Sequence, residues 1–394
     1  MARVLHLYSE RKWTGPAEPV VNLCRELGSQ FSVTLIHETH RRKPVLISRM
    51  AAERGVSLAA PLYLRKHHKL IQVVTDFWRL VSYIKKQGIQ LVHVHRLGDH
   101  IVGGPAGRST ATPVLRTFYS EASNLNLREK LMLGRFTDGL IVPNATAREN
   151  ILNQLKNFPA RIWVVPPGID TACFDPEKVS RDSARKNLGI GPDEYVLGIV
   201  SRIRGERKVD IAMEAFGIAQ KKLAHLRLLI IGGGKRRNIE KCILEPMKRF
   251  GMEGRVLRVG RLEEGSYVKA LAAIDAGIYL VPGSDKSCRT VLEFMAMGKP
   301  LIVGKQGILS GLVENPENGF AVECETEKIA EAIVHLASDP SLSEKMGERG
   351  LARVRERFSL NLQAAAIAKI YKHFLSAALF VQSVLPLNQA WSIF

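Results

Sequence analysis

The apolar positions of this chain fall into short continuous runs separated by longer stretches of helical spacing. "RVLHLYS" (3–9) is such a run, and the loop "ERKWTGPAEP" and the helical pattern "VVNLCREL" follow it. That order reads as strand, loop, helix. "FSVTLIH" (31–37), "IQLVHVH" (89–95), "TPVLRTFY" (112–119) and "TDGLIVPN" (137–144) continue the series, with a helix over 70–86 and further helices between the later runs. Strands that are apolar throughout, alternating with helices, predict an α/β, doubly wound parallel sheet covered on both faces. "ARIWVVPPGIDTACFDP" (160–176) closes this series with a Pro- and Gly-rich exit. The alternation then restarts in "YVLGIVSRI", "LRLLIIGGG", "RVLRVGRL", "AGIYLVPGS", "PLIVG" and "GFAVE", so two Rossmann-like halves meet near residue 175.

In the helix over 70–86, Ile71, Val74, Phe77, Trp78 and Val81 recur at three- and four-residue intervals and are expected to form its buried stripe. "RFSLNLQAAAIAKIYKHFLSAALF" (357–380) reads as one amphipathic helix, and the tail at 381–394 is too apolar to be solvated. Packing on the body, a partner or a membrane would each cover that tail; a helix bridging the domains with a packed extension is the reading favoured. The domains expected are thus 1–175 and 176–356, with the helix 357–380 returning to the first.

"VPGSDKSCRTVLEFMAMGKPLIVG" (281–304) is where the pattern meets chemistry. A strand delivers "SDKSCR" to the carboxyl edge of its sheet, where open α/β sheets bind ligands. "TVLEFMAM" is then a helix with Ser284 or Ser287 near its N-cap. Its free N–H groups suit a phosphate. Glu293, further along that helix, can accept hydrogen bonds from the two hydroxyls of a ribose. Asp285, ahead of it, can take sugar hydroxyls on the other side. Two acids and a set of amides describe a nucleotide-sugar site.

Net charge sharpens this. The 394 residues carry a formal +19, of which +11 falls in residues 1–180. Such an excess favours anionic partners. Arg41, Arg42, Lys43, Arg49, Arg65, Lys66, His67, His68 and Lys69 concentrate it on the first half. Five scattered cysteines without metal-ligand spacing argue for a reducing compartment and against a disulfide framework or structural zinc. With neither a signal-peptide pattern nor a run long enough to span a bilayer, the expected location is cytoplasmic, at most against the inner face of the membrane.

At this point the chain resembles a family. An acid, seven residues and a Glu leading into "LEFMAMGKPLIV" look like the donor motif of the retaining family-4 glycosyltransferases. "TGPAEPVVNLCREL", "VVPPGIDTACFDP", "GIVSRIRGERKVDIAMEAF", "LLIIGGGKRRNIEKCI", "RVLRVGRLEEGSYVKALAAIDAGIYLVPGS" and "RFSLNLQAAAIAKIYKHFL" resemble the family's other segments in order. The resemblance implies the GT-B fold, two facing Rossmann-like domains with a deep cleft between them. It implies a metal-independent, retaining transfer from a UDP-, GDP- or ADP-linked sugar to a glycan or lipid-linked acceptor, in lipopolysaccharide or envelope polysaccharide assembly. No cofactor beyond that co-substrate is expected, and no nucleic acid; the basic first half would touch an anionic membrane.

Carried over by position, Arg202 and Lys208 match the basic pair that neutralises the departing diphosphate, with Arg207 competing for the second place. Glu293 would hold the ribose, and Asp285 stands where the family usually has Glu. The amides of Ser287, Cys288 and Arg289 would reach the phosphate or sugar. For the Arg289 side chain, a substrate role and a solvated surface position stand level. Cys288 reads as a small helix-start residue, not a nucleophile. Gly15 belongs to the loop that approaches the donor phosphates, and Arg261 and Leu262 to the turn that recognises the base. Glycines 232–234 form a turn that lacks the dinucleotide fingerprint. Many relatives have a His after the strand matching "TPVLRTFYS"; here Phe118 or, more naturally, Tyr119 takes that place. His95 is the other acceptor-side candidate. The rivals are a nucleotide-sugar epimerase of the same layout, a basic nucleic-acid binder, and a degenerate transferase-like subunit.

Overall fold

The structure, a computed structural model, describes residues 1–10, 13, 17–38, 45–59, 62–64, 70–282 and 288–384, with side chains described to residue 376. It divides into two compact units, Met1–Gly168 with the chain from Leu360 on, and Ile169–Ser359.

Seven parallel strands build the first unit: β1 (Arg3–Tyr8), β2 (Ser32–His37), β3 (Ser57–Leu58), β4 (Leu91–Val94), β5 (Val114–Thr117), β6 (Gly139–Val142) and β7 (Arg161–Val164), in the order β3-β2-β1-β4-β5-β6-β7. The second has six: β8 (Tyr195–Val200), β9 (Leu226–Ile231), β10 (Val256–Gly260), β11 (Ala276–Tyr279), β12 (Leu301–Gly304) and β13 (Gly319–Val322), ordered β10-β9-β8-β11-β12-β13. Both are α/β sheets that wind outwards from an interior first strand. The direction reverses between β1 and β4 and between β8 and β11, the crevices in which such sheets take ligands. Strands β1, β4, β5, β6, β8, β9, β11 and β12 are almost wholly buried, as a sheet covered on both faces requires.

The runs read as strands are strands, within a few residues. Two more appear. β3 is a pair of exposed residues with no apolar signal, and β7 lies inside the stretch read as an exit, with its ends exposed. Two further expectations are corrected. The stretch from 357 is not one helix from its start: helices Pro340–Arg357 and Leu360–Val384 are separated at Phe358 and Ser359. There the Ile169 N–H donates to Phe358 O at 2.7 Å and Ile169 pairs with Ser359, so that strand-like pairing replaces helical bonding where the chain changes unit. The second helix packs on helix Ala17–Leu27, burying Ala364, Ile367, Ala368 and Tyr371.

The stripe of the helix Leu70–Gln87 is the second correction. Of the expected stripe, Val81 is buried and Phe77 packs on the core, but Ile71, Val74 and Trp78 are 81%, 47% and 64% exposed; Asp76, Leu80 and Ile84 face inwards with Val81. Both stripes satisfy helical spacing. Asp76 decides between them, because its carboxylate accepts the N–H groups of Tyr63 (3.0 Å) and Leu64 (2.9 Å) and so brings a polar residue to the core side.

Arg185 is the largest fully buried side chain of the second unit. Its guanidinium donates to the carbonyls of Ala273, Gly191, Pro192 and Glu194 and to the Asp275 carboxylate, which also accepts from Arg181 and the Val196 N–H. One side chain thus ties the helix Arg181–Leu188 to the amino ends of β8 and β11. Arg185→Ala removes the donor to four carbonyls and leaves Asp275 with only Arg181 and the Val196 N–H, and is expected to cost about 3 kcal/mol in chemical unfolding of the full chain.

His100 is buried in the helix Leu97–Ser109, its Nε2 3.2 Å from Phe136 O and 3.1 Å from Thr137 Oγ1. Burial, followed by the nearby Arg116 cation, lowers its pKa from 6.5 to about 3. The folded value lies below the unfolded one, so the stability it contributes is full above about pH 6.5 and is lost as pH falls towards 3. Relative to His100→Gln, the wild type is expected to lose roughly 2 kcal/mol between about pH 7.5 and pH 5. Paired urea titrations at the two pH values check the difference.

Candidate active site

In the second unit, parallel pairing of Ile199 with Ile278 sets the carboxyl ends of β8 and β11 side by side. Arg202 follows β8 and is exposed; Lys208 is half-buried, in the left-handed conformation (φ 51°) that opens the helix Val209–Ala219. Neither makes an ion pair or side-chain hydrogen bond among the described residues. Arg207 is engaged otherwise: its Nη1 donates to Pro282 O at 2.6 Å, tethering the turn to the end of the neighbouring loop. Gly232, after β9, has φ +136°, and a Cβ there would lie 1.9 Å from Ser201 O. The glycine turn therefore lets the loop after β9 close against the one after β8. Arg261, after β10, is exposed and Leu262 is half-buried against the core.

Asp285 and Ser287 lie outside the described residues, as do Ser284 and Gly15. The helix beyond them is Arg289–Ala296, and its N-cap is Cys288, buried and at φ 50°. Glu293 is 5% exposed. Arg289 Nε donates to its Oε1 at 2.8 Å, and the Tyr267 hydroxyl donates to Oε2. The Arg289 guanidinium also lies over the Phe174 ring, 5.9 Å from its centroid, and Phe174 meets Tyr267 edge-on at 6.2 Å. These four side chains close a ring, so Arg289 is not a surface residue: its side chain is 13% exposed and orients the carboxylate. Tyr267 and Phe174 carry no sequence signal that would have singled them out.

At the other crevice, β1 and β4 run in register with His6 opposite His93, and the chain continues to His95. Asp99, in the first turn of the next helix, accepts from the His95 and Arg96 N–H groups (2.7 and 3.0 Å) and from the Ser9 hydroxyl (3.0 Å). His95 is buried; its Nε2 lies 3.0 Å from His6 Nδ1 and its Nδ1 2.7 Å from the Tyr119 hydroxyl. Burial, then His6 and Arg116, holds its pKa well below 6.5. The His and Tyr of the sequence reading are therefore one hydrogen-bonded unit. Phe118 points elsewhere, into a separate core cluster under the Arg116 guanidinium (4.8 Å). Arg116 itself is 4% exposed, and its Nε and Nη1 have no hydrogen-bond partner among the described residues. Of the basic residues that concentrate charge on the first half, only Arg49 is described, paired with Glu53 at 3.4 Å; residues 41–43 and 65–69 lie outside the described residues.

Comparisons with known proteins bear on both units. Residues 14–172 match the family model Glycosyltransferase Family 4, and residues 180–353 match Glycosyl transferases group 1. D-inositol 3-phosphate glycosyltransferase of Rhodococcus opacus (strain B4) is 26% identical over 302 residues, covering 72% of this chain and 67% of that enzyme. The enzyme of the same name from Segniliparus rotundus is 28% identical over 217 residues, 54% of this chain and 47% of its own length. The chain therefore spans between about half and two thirds of these relatives. Among solved structures, Anabaena HepE in complex with UDP superimposes with a TM-score of 0.79 at 16% identity, over 94% of this chain and 100% of that one. That likeness is one of fold. With both domains in that order, the chain belongs to the glycosyltransferases of Family 4 and group 1, enzymes of the GT-B fold.

Proposed function

We propose that this enzyme moves a sugar from a nucleotide-sugar donor to a glycan or glycolipid acceptor with retention of configuration, in the assembly of a bacterial envelope polysaccharide or lipopolysaccharide. The observation that carries the donor half is the fixed carboxylate of Glu293, held by Arg289 and Tyr267 on a helix that starts beside the β8–β11 crevice. In this reading its carboxylate accepts from the ribose hydroxyls. Arg202 and Lys208 neutralise the diphosphate, and Asp285 holds the transferred sugar. The amides of Ser287, Cys288 and Arg289 approach the phosphates, and Arg261 and Leu262 border the base. HepE, of the same fold, binds UDP.

The chemistry needs little more. As the bond from the anomeric carbon to the diphosphate breaks, the acceptor oxygen forms its bond on the same face and its proton passes to the leaving phosphate oxygen. Two cations at that oxygen stabilise the developing charge without a metal. Tyr119, held by the buried His95, is the substrate-facing polar group of the acceptor unit in this reading. Glu293→Gln keeps the shape but removes the charge. In thermal unfolding with UDP, GDP, ADP and their glucose conjugates, one nucleotide series is expected to raise the Tm of the wild type, by about 2.7 kcal/mol of stabilisation at 100 times Kd. The shift should vanish in the variant. A folded wild type indifferent to every member of the panel would overturn the donor assignment.

The acceptor half has its own support. Leu70, Ile71, Val74 and Trp78 expose an apolar face on one helix, directly after the basic run at 65–69 in the sequence. Apolar contact and cationic charge together suit an anionic membrane surface. Among the described residues no helix is long and apolar enough to cross a membrane. Sedimentation with phosphatidylglycerol vesicles should carry down the wild type at low salt, and Ile71→Glu/Trp78→Glu should bind at least tenfold more weakly. Equal binding by both proteins would refute this surface.

A further inference from the structure

Three histidines, two tyrosines and a threonine of the first unit form one unbranched hydrogen-bonded chain. Thr117 Oγ1 lies 2.7 Å from His93 Nε2, and His93 Nδ1 lies 2.6 Å from the Tyr371 hydroxyl. That hydroxyl lies 2.8 Å from His6 Nε2. His6 Nδ1 then meets His95 Nε2, and His95 Nδ1 meets the Tyr119 hydroxyl, as described above. The links join β1, β4, β5 and the helix Leu360–Val384, and every ring nitrogen is used.

Protons can be counted along it. Burial, reinforced by mutual repulsion at His93 and by His6 and Arg116 at His95, keeps the three imidazoles neutral at neutral pH, with His6 at about 3. Burial likewise holds both tyrosines in the protonated form. Each of the six groups then has one mobile hydrogen, and the links between them number one fewer. Three arrangements satisfy every link, one for each hydroxyl that can carry the spare hydrogen. In one, all three histidines are protonated on Nδ1, Thr117 donates to His93, and Tyr119 accepts from His95, so that its own hydrogen points out of the chain. In the second, all three carry Nε2–H, Tyr119 donates inwards, and the spare hydrogen is that of Thr117; in the third, Thr117 and Tyr119 both donate inwards and Tyr371 accepts from His93 and His6, its own hydrogen being the spare one. Thr117 is 4% exposed, and His93 is its side chain's only partner among the described residues. The second and third arrangements each leave a buried donor without an acceptor, on Thr117 or on the fully buried Tyr371, whereas the first puts the spare hydrogen on half-buried Tyr119.

We infer that this chain is proton-ordered in the first sense and makes the Tyr119 hydroxyl a fixed hydrogen-bond donor to a substrate oxygen, with Thr117, His93, Tyr371, His6 and His95 as positioning residues. The inference rests on the reading of Tyr119 as substrate-facing. A phosphate or ring oxygen, which only accepts, satisfies such a donor directly. A sugar hydroxyl does so only by turning its own hydrogen elsewhere, so the device selects which substrate atom lies against Tyr119. The three imidazoles also come within 4.8 Å of one another, a spacing that a metal ion could draw in. Against that, each ring nitrogen already faces a hydrogen-bond partner, and the cluster includes no carboxylate to offset a dication.

The tautomers can be read in the free protein, without substrate, by long-range proton–nitrogen correlation on the full chain labelled at histidine. The expected result is three neutral imidazoles with Nδ1–H. Thr117→Val removes the hydroxyl that sets the polarity and should mix the tautomers; Thr117→Ser should restore them. Release of nucleoside diphosphate from UDP-, GDP- and ADP-glucose should follow the same series, with kcat about tenfold lower in Thr117→Val and Tyr119→Phe and recovered in Thr117→Ser. Mixed tautomers in the wild type, one equivalent of zinc retained through chelation, or an unchanged kcat in Thr117→Val would each overturn the inference. If no nucleotide sugar binds, the donor reading fails separately, because the tautomers are measured without it.

Discussion

Both sheets begin in their own middle, and that constraint governs the rest. A parallel strand can be followed by another only through a crossover, and crossovers that start from an interior strand must eventually go both ways. Between the two directions no helix covers the carboxyl ends, so β1 with β4 and β8 with β11 each leave an open crevice. Polar groups collect there: Ser9, His95 and Asp99 in one unit, Arg202, Arg207 and Lys208 in the other.

At each crevice, few side chains are held by the backbone alone. Glu293 is oriented by an arginine one turn back on its own helix and by a tyrosine from the helix Glu264–Ala272, with Phe174 beneath both. Asp99 collects two backbone N–H groups and a serine hydroxyl, which fixes how the chain turns after β4. An acid held from several sides keeps its position before any ligand arrives, the condition for a precise binding geometry.

Much of this was legible in the sequence, and the residues explain what was not. The buried strands announce themselves because both faces must be apolar. β3 and β7 do not, since exposed residues such as Ser57 and Arg161 carry no such demand. The stripe of the helix Leu70–Gln87 was ambiguous by spacing, and a carboxylate bonded to the backbone of Tyr63 and Leu64 broke the tie in the direction that hydropathy disfavours. The positions of Glu293, His95 and Tyr119 followed from motif order. Their partners did not: Tyr267 is 26 residues from Glu293, and Tyr371 is 365 from His6. Contacts across such separations exist only once the fold has closed.

That last separation has a consequence for how the protein is made. The helix Leu360–Val384 supplies Tyr371 and a layer of apolar side chains to a core whose strands emerge from the ribosome long before it. The second unit, Ile169–Ser359, is continuous in sequence and has all its own strands by the time Val322 is synthesised. Although domains generally fold in the order of their synthesis, here the unit begun first is the one completed last. Until then, helix Ala17–Leu27 and the polar face of β1 and β4 stand uncovered, and the half-built unit waits on the helix Leu360–Val384.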